Sequence, residues 1–127
     1  MHETSLVRTL LARVLREAAD GQRVTRVELS LGEMASHTPE ALAFHFDQAA
    51  RGTAAEGASV DAVREEARLR CDACGEPAAL GEPACPSCGG PLAARGLRDV
   101  RLEGLEVREE ASGQVRTVRI SGGGGVR

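Results

Sequence analysis

Residues 71–90 read CDACGEPAALGEPACPSCGG and hold all four cysteines of this 127-residue chain, as two CxxC pairs, Cys71/Cys74 and Cys85/Cys88, ten residues apart. Two residues between cysteines let both sulfurs reach one ion from a tight turn. The glycines that follow, Gly75 and Gly89, allow the backbone to fold so that amides reach the thiolates. Four thiolates arranged as a tetrahedron select Zn(II) and leave no open position for catalysis, so the site reads as structural. A disulfide pair and a rubredoxin-like iron site are the competing readings. Gly81, Pro86, Gly90 and Pro91 leave the segment short of core residues, so a bound ion takes the place of a hydrophobic core.

On either side of this run the pattern changes. From Ser5 to Ala19, Leu6, Leu10, Val14 and Ala18, with Val7, Leu11 and Leu15 beside them, recur at three and four, which predicts an amphipathic helix capped by Thr4 or Ser5 and stopped at Asp20-Gly21. Val27, Leu29 and Leu31 alternate with Glu28 and Ser30, as in a half-buried strand. A second helix opens with Thr38 as cap and Pro39 at its first position, buries Leu42, Phe46 and Ala49, and ends at Gly52. Val60 and Ala62, and later Ala67 and Leu69, suggest a second strand, with a register break near Val63. Beyond the cysteines, Val100 and Leu102, then Leu105 and Val107, form a third whose alternation slips by one at Gly104, the residue type best suited to a bulge.

The fold class is therefore α+β. A small domain of two helices on a roughly three-stranded sheet spans residues 1–69 and is completed by a strand at 98–109. A β-rich, zinc-ribbon-like domain is inserted at 70–97. Residues 110–127 form a tail, read as partly disordered, in which Val118 and Ile120 are candidates for one more strand after a turn at Ser112-Gly113.

Composition narrows the function. A net charge of -3, no Lys, no Trp or Tyr and only two Phe argue against nucleic-acid binding, which needs clustered basic residues or stacking rings. Arg8 and Arg13 interrupt the first apolar positions, so no secretion signal is expected, and no apolar run approaches the ~18 residues of a membrane span. The expected location is the cytoplasm, where thiols stay reduced. The glycine run at 122–125 lacks the Lys and Ser/Thr of a nucleotide loop, and neither a nucleophile with its base nor paired carboxylates appear, so the chain reads as a binding protein rather than an enzyme.

The chain starts MHETSL. The Met1 amine, the backbone nitrogens of His2 and Glu3 and the His2 imidazole are four nitrogen donors in sequence, closing three adjacent chelate rings. Deprotonated amides in a plane suit Ni(II) or Cu(II). Taken with GTAAEGASV (52–60), CDACG, ACPSCGG and GLRDVRLEGLEV (96–107), this start resembles the HypA/HybF family of hydrogenase nickel-incorporation proteins over residues 1 to about 110. The resemblance implies a nickel metallochaperone that holds Ni(II) through Met1, His2 and Glu3 and structural Zn(II) through Cys71, Cys74, Cys85 and Cys88. It also implies delivery of nickel, with a HypB-type GTPase, to the large subunit of [NiFe] hydrogenase, and it leaves open homodimerisation and service to urease.

Two features depart from the family pattern. No histidine adjoins the cysteine pairs, where Glu76 and Gly90 stand instead, so a pH-linked ligand exchange at zinc is not expected. The tail beyond about residue 110 is longer than the family's. The remaining imidazoles, His37 before the second helix and His45 within it, read as a surface-loop and a solvated residue, with His37 and the Glu3 carboxylate also candidates for a part in nickel binding. The alternative function is a zinc-ribbon interaction module without nickel.

Overall fold

A computed structural model describes residues 3–66, 68–94, 97–120 and 125–126. In chain order the elements are α1 (Glu3–Glu17), β1 (Gln22–Leu31), α2 (Pro39–Ala50), β2 (Ser59–Arg64), β3 (Leu69–Cys71), β4 (Pro77–Ala78), β5 (Leu92–Ala94), β6 (Val100–Glu109), β7 (Val115–Arg119) and β8 (Gly125–Val126). They make two sheets. The larger has the order β2-β1-β6-β7, with β8 also on β6, and the smaller has the order β4-β3-β5. The three strands expected from the sequence are adjacent in the larger sheet, but the second ends at Arg64: Leu69, expected to continue it, begins β3 of the smaller sheet, and Ala67 lies outside the described residues; β7 and β8 widen the larger sheet.

Both helices lay their apolar stripes on the larger sheet. Leu6, Leu10 and Val14 of α1 and Leu42 and Phe46 of α2 are fully buried against Val27, Leu31, Leu105 and Val107. The cap of α2 is as expected. Thr38 is extended and its hydroxyl accepts from the Ala41 amide at 3.1 Å, while Pro39 starts the first turn. Ala50, rather than Ala49, completes the buried stripe.

Two bulges set which side chains face the helices. On β1 the buried apolar positions move from Val24 to Val27, Leu29 and Leu31, a change of phase that coincides with the extra residue Thr25 between the pairs Val24↔Val107 and Arg26↔Glu106. On β6 they move from Val100 and Leu102 to Leu105 and Val107, and the extra residue is Glu103, beside Gly104. A strand without these insertions would turn half its apolar residues to the wrong face. Ser30 donates to the Glu103 carboxylate at 2.8 Å, and the Glu103 carbonyl accepts from the Ile120 amide at 3.1 Å, so the second bulge is hydrogen-bonded on both flanks.

After β6 the chain turns at Gly113, whose φ of 74° lies in the left-handed region, and returns as β7 along Gly104–Arg108. Arg119 crosses Gly104, where a Cβ would collide with its guanidinium, and pairs with Glu28 of β1. Ser121–Gly124 and Arg127 lie outside the described residues.

The small sheet is inserted at one end of the large one. β1 is parallel to β2 and antiparallel to β6, so the end of β2 and the start of β6 flank the end of β1. The loop that follows β1 is fastened to both connections. Its Gly32 and Met34 amides donate to the Asp99 and Leu97 carbonyls, each at 2.8 Å, and the Glu65 amide donates to the Leu31 carbonyl.

Candidate metal centres

Each CxxC pair forms the same turn. The Gly75 amide returns to the Cys71 carbonyl at 3.0 Å and the Gly89 amide to the Cys85 carbonyl at 2.8 Å, with φ near 80° at both glycines. That conformation strains any residue with a Cβ. The strands beside the turns hold them in place: the Cys71 amide donates to Glu76, Asp72 to Pro91, and Cys85 to Gly90.

The four ligand sulfurs lie within 4.8 Å of one another, Cys71 to Cys88 at 3.5 Å and Cys74 to Cys85 at 3.6 Å. A tetrahedral ion with Zn–S bonds of about 2.3 Å requires sulfurs about 3.8 Å apart, so the cluster has the dimensions of such a site. Gly90 closes it: a Cβ there would lie 3.1 Å from the Cys71 sulfur and 3.2 Å from that of Cys88. Among the described residues no histidine or carboxylate joins the sulfurs.

The thiols are poised unequally. The Cys71 sulfur accepts the Ala73 and Cys74 amides at 3.3 and 3.4 Å. The Cys74 amide above all, opposed by burial and helped by the Ala73 amide, brings that thiol down to about 7. Cys85 is lowered in the same way, foremost by the Cys88 amide. At Cys74 the Glu76 amide also acts downward, but burial and the neighbouring sulfurs outweigh it and push the thiol up to about 12. Cys88 is raised too: the Gly90 amide and the Cys74 thiol act downward, but Cys71, burial and Cys85 outweigh them. The first cysteine of each pair thus carries negative charge most easily, and a dication would supply what the second lacks.

The expected nickel residues Met1 and His2 lie outside the described residues. Glu3, in the first turn of α1, is described, and its surroundings differ from the sequence reading. His37 Nδ1 is 3.7 Å from Glu3 Oε1, and His45 Nε2 is 3.6 Å from Glu3 Oε2. His37 is not a solvated loop residue, since only 12 % of its side chain is exposed. His45 keeps 41 % exposure but is turned toward Glu3 and stacks edge-on with Phe44. Nothing local in the sequence signals this meeting. It depends on α1 and α2 packing side by side with the start of α1 level with the first half of α2.

A family model for hydrogenase/urease nickel incorporation, the metallochaperone HypA, matches residues 1–107. The chain belongs to the HypA family. Among its relatives, the hydrogenase maturation factor HypA of Xanthobacter autotrophicus is 41 % identical over 113 residues, covering 84 % of this chain and 99 % of that protein. The HypA of Archaeoglobus fulgidus is 38 % identical over 109 residues, 84 % and 98 % of the two chains. The solution structure of the nickel metallochaperone HypA from Helicobacter pylori superimposes with a TM-score of 0.59 at 25 % identity, over 83 % of this chain and 96 % of that one. The HypA match ends inside β6, so the β7 hairpin lies beyond it. No described helix is long and apolar enough to cross a membrane.

Proposed function

We propose that this HypA-family chain is a cytoplasmic nickel carrier, not an enzyme. It binds Ni(II) at its start through the Met1 amine, the His2 amide and imidazole and the Glu3 amide. It passes the ion, with a HypB-type GTPase, to the large subunit of [NiFe] hydrogenase. The observation that carries this reading is the contrast between two donor sets: a closed cluster of four sulfurs at one end of the fold, and a carboxylate with two imidazoles at the beginning of α1. A closed thiolate cluster suits an ion that stays. Nitrogen and oxygen donors at a chain end suit one that is handed on.

In this reading Cys71, Cys74, Cys85 and Cys88 hold structural Zn(II), which supplies the positive charge that lets four adjacent sulfurs be thiolates together. Gly90 keeps the space beside them clear, and the amides of the two turns orient the sulfurs.

The test is a pair of nickel titrations, one on the chain starting at Met1 and one on a chain with a single residue added before it. The extension displaces the amine and leaves every side chain in place. Affinity is expected to fall at least about tenfold while zinc content and melting stay constant, as when a metal site loses a contributing group. His2→Ala is expected to do the same. Equal affinities for the native-start and extended chains would refute backbone coordination.

A further inference from the structure

The Glu3 carboxylate, in the first turn of α1, sits between the imidazoles of His37 and His45, placed as a ligand is. Its Oε1 is shut off from solvent and, among the described residues, has no hydrogen-bond partner, a costly state for a carboxylate oxygen. Across from it lies His37 Nδ1, at 3.7 Å within ion-pair reach but too far for a hydrogen bond. Two donors each about 2.1 Å from a shared ion stand about 3.0 Å apart at the 90° angle of a square-planar or octahedral site, so a closing of the gap by well under 1 Å would let a small dication bridge it.

His37 is held there by more than its own contacts. Arg64, the last residue of β2, donates to the carbonyls of Gly32, Glu33 and Ala35 at 3.2, 3.3 and 3.1 Å and to that of His37 at 2.6 Å. One guanidinium thus gathers the loop from β1 to α2 and fixes His37, the residue before the cap Thr38, beside the start of α1. On the far side of the carboxylate, His45 Nε2 faces Oε2 at 3.6 Å, within reach to orient it electrostatically but not as a hydrogen bond.

We propose that Glu3 Oε1 and His37 Nδ1 form a side-chain seat for a divalent transition-metal ion of nickel's class, with His45 orienting the carboxylate and Arg64 positioning His37. Imidazole and carboxylate together suit such an ion and give it no closed shell, so positions remain for other donors or water. The nature of the ion rests on the nickel-carrier reading; the two-donor geometry does not.

The experiment is a calorimetric Ni(II) titration of the zinc-loaded full chain, native-start and extended by one residue, carrying His37→Ala, His37→Asp, Glu3→Gln or His45→Gln. His37→Ala and Glu3→Gln are expected to weaken nickel binding about tenfold or more in the native-start chain, and His45→Gln by less. His37→Asp is expected to bring affinity back to within about threefold of the parent, because a carboxylate is again a donor to the metal, whereas it would repel Glu3 if His37 served only as a partner for that residue. Unchanged affinity in either His37→Ala or Glu3→Gln, or a His37→Asp chain as weak as His37→Ala, overturns the proposal; should His37→Ala fail to fold, Glu3→Gln decides. If the extension abolishes binding while His37→Ala does not alter it, the backbone chelate stands and the side-chain seat falls. If His37→Ala weakens binding and the extension does not, the reverse holds.

Discussion

The layer of α1 and α2 over the large sheet buries Leu6, Leu10, Val14, Leu42, Phe46 and the inner positions of β1 and β6, whereas the module from Leu69 to Ala94, among the described residues, buries only Ala78 and the two sulfur-bearing residues Cys71 and Cys85. The first region is held by apolar area removed from water, each large side chain contributing about 1.5–3 kcal/mol. The second has no such reserve. Leu80, its largest apolar residue outside a strand, is mostly exposed. What remains to hold it is the sulfur cluster, the short ladders of β4-β3-β5 and the hydrogen bonds of its two turns. One region should therefore melt as a cooperative core, and the other should follow its metal.

The sharpest way to break that contrast is to remove a thiolate. Cys74→Ser or Cys88→Ser is expected to cost the module its zinc and most of the folding free energy that comes with it, on the order of 10 kcal/mol in small zinc modules, because a hydroxyl replaces a soft thiolate poorly. Limited proteolysis should then cut between Leu69 and Ala94, while the melting of the helical layer shifts little. Full zinc content after the change, or resistance to cleavage once metal is chelated, would show that the module has a core of its own.

The opposite perturbation is Phe46→Ala. Phe46 is among the largest fully buried side chains, and its truncation is expected to destabilise the helical layer by about 3–5 kcal/mol in denaturant melts. Zinc stoichiometry under native conditions should stay at that of the parent. A loss of zinc in step with the melting of the helices would show the two regions to be one cooperative unit.

Much of this was legible beforehand, for reasons that differ by region. The CxxC spacing is a local rule of coordination, and the helix stripes and the cap at Thr38 are local rules of period and hydrogen bonding, so each could be read within a dozen residues. The slip at Gly104 was visible because it breaks a strict alternation; the structure puts the inserted residue at Glu103, next to it. Its counterpart at Thr25 was not seen, since the alternation counted on β1 began only at Val27. The Glu3, His37 and His45 cluster joins positions far apart in the chain, as do the four carbonyls gathered by Arg64. Such meetings depend on how packed elements are aligned, which no local pattern encodes. The hairpin of β7 was only partly readable, because most of that strand is exposed and carries little apolar signal.

The smallest expected effect is that of Thr38→Ala. Losing the hydroxyl that caps the Ala41 amide should cost about 1 kcal/mol, seen as a lower denaturant midpoint with an unchanged slope. Zinc content should again be indifferent. A much larger loss would mean that Thr38 also helps to seat the loop that ends at His37, and would tie the cap to the metal-facing side of the fold.

The place where the sulfur module is inserted has a consequence best put in the language of polymers. The excursion leaves at Arg64 and returns at Val100, on the two neighbours of β1, so its anchor points are two strand spacings apart, about 10 Å. A chain leaving and re-entering through so narrow a gate behaves, when it loses its own order, as a closed loop of roughly 35 residues, and closure entropy grows only with the logarithm of that length. The intervening segment can therefore pass between ordered and random-coil states, or be lengthened, shortened or exchanged for another insert, at a cost to the parent sheet of well under 1 kcal/mol for each doubling of its length.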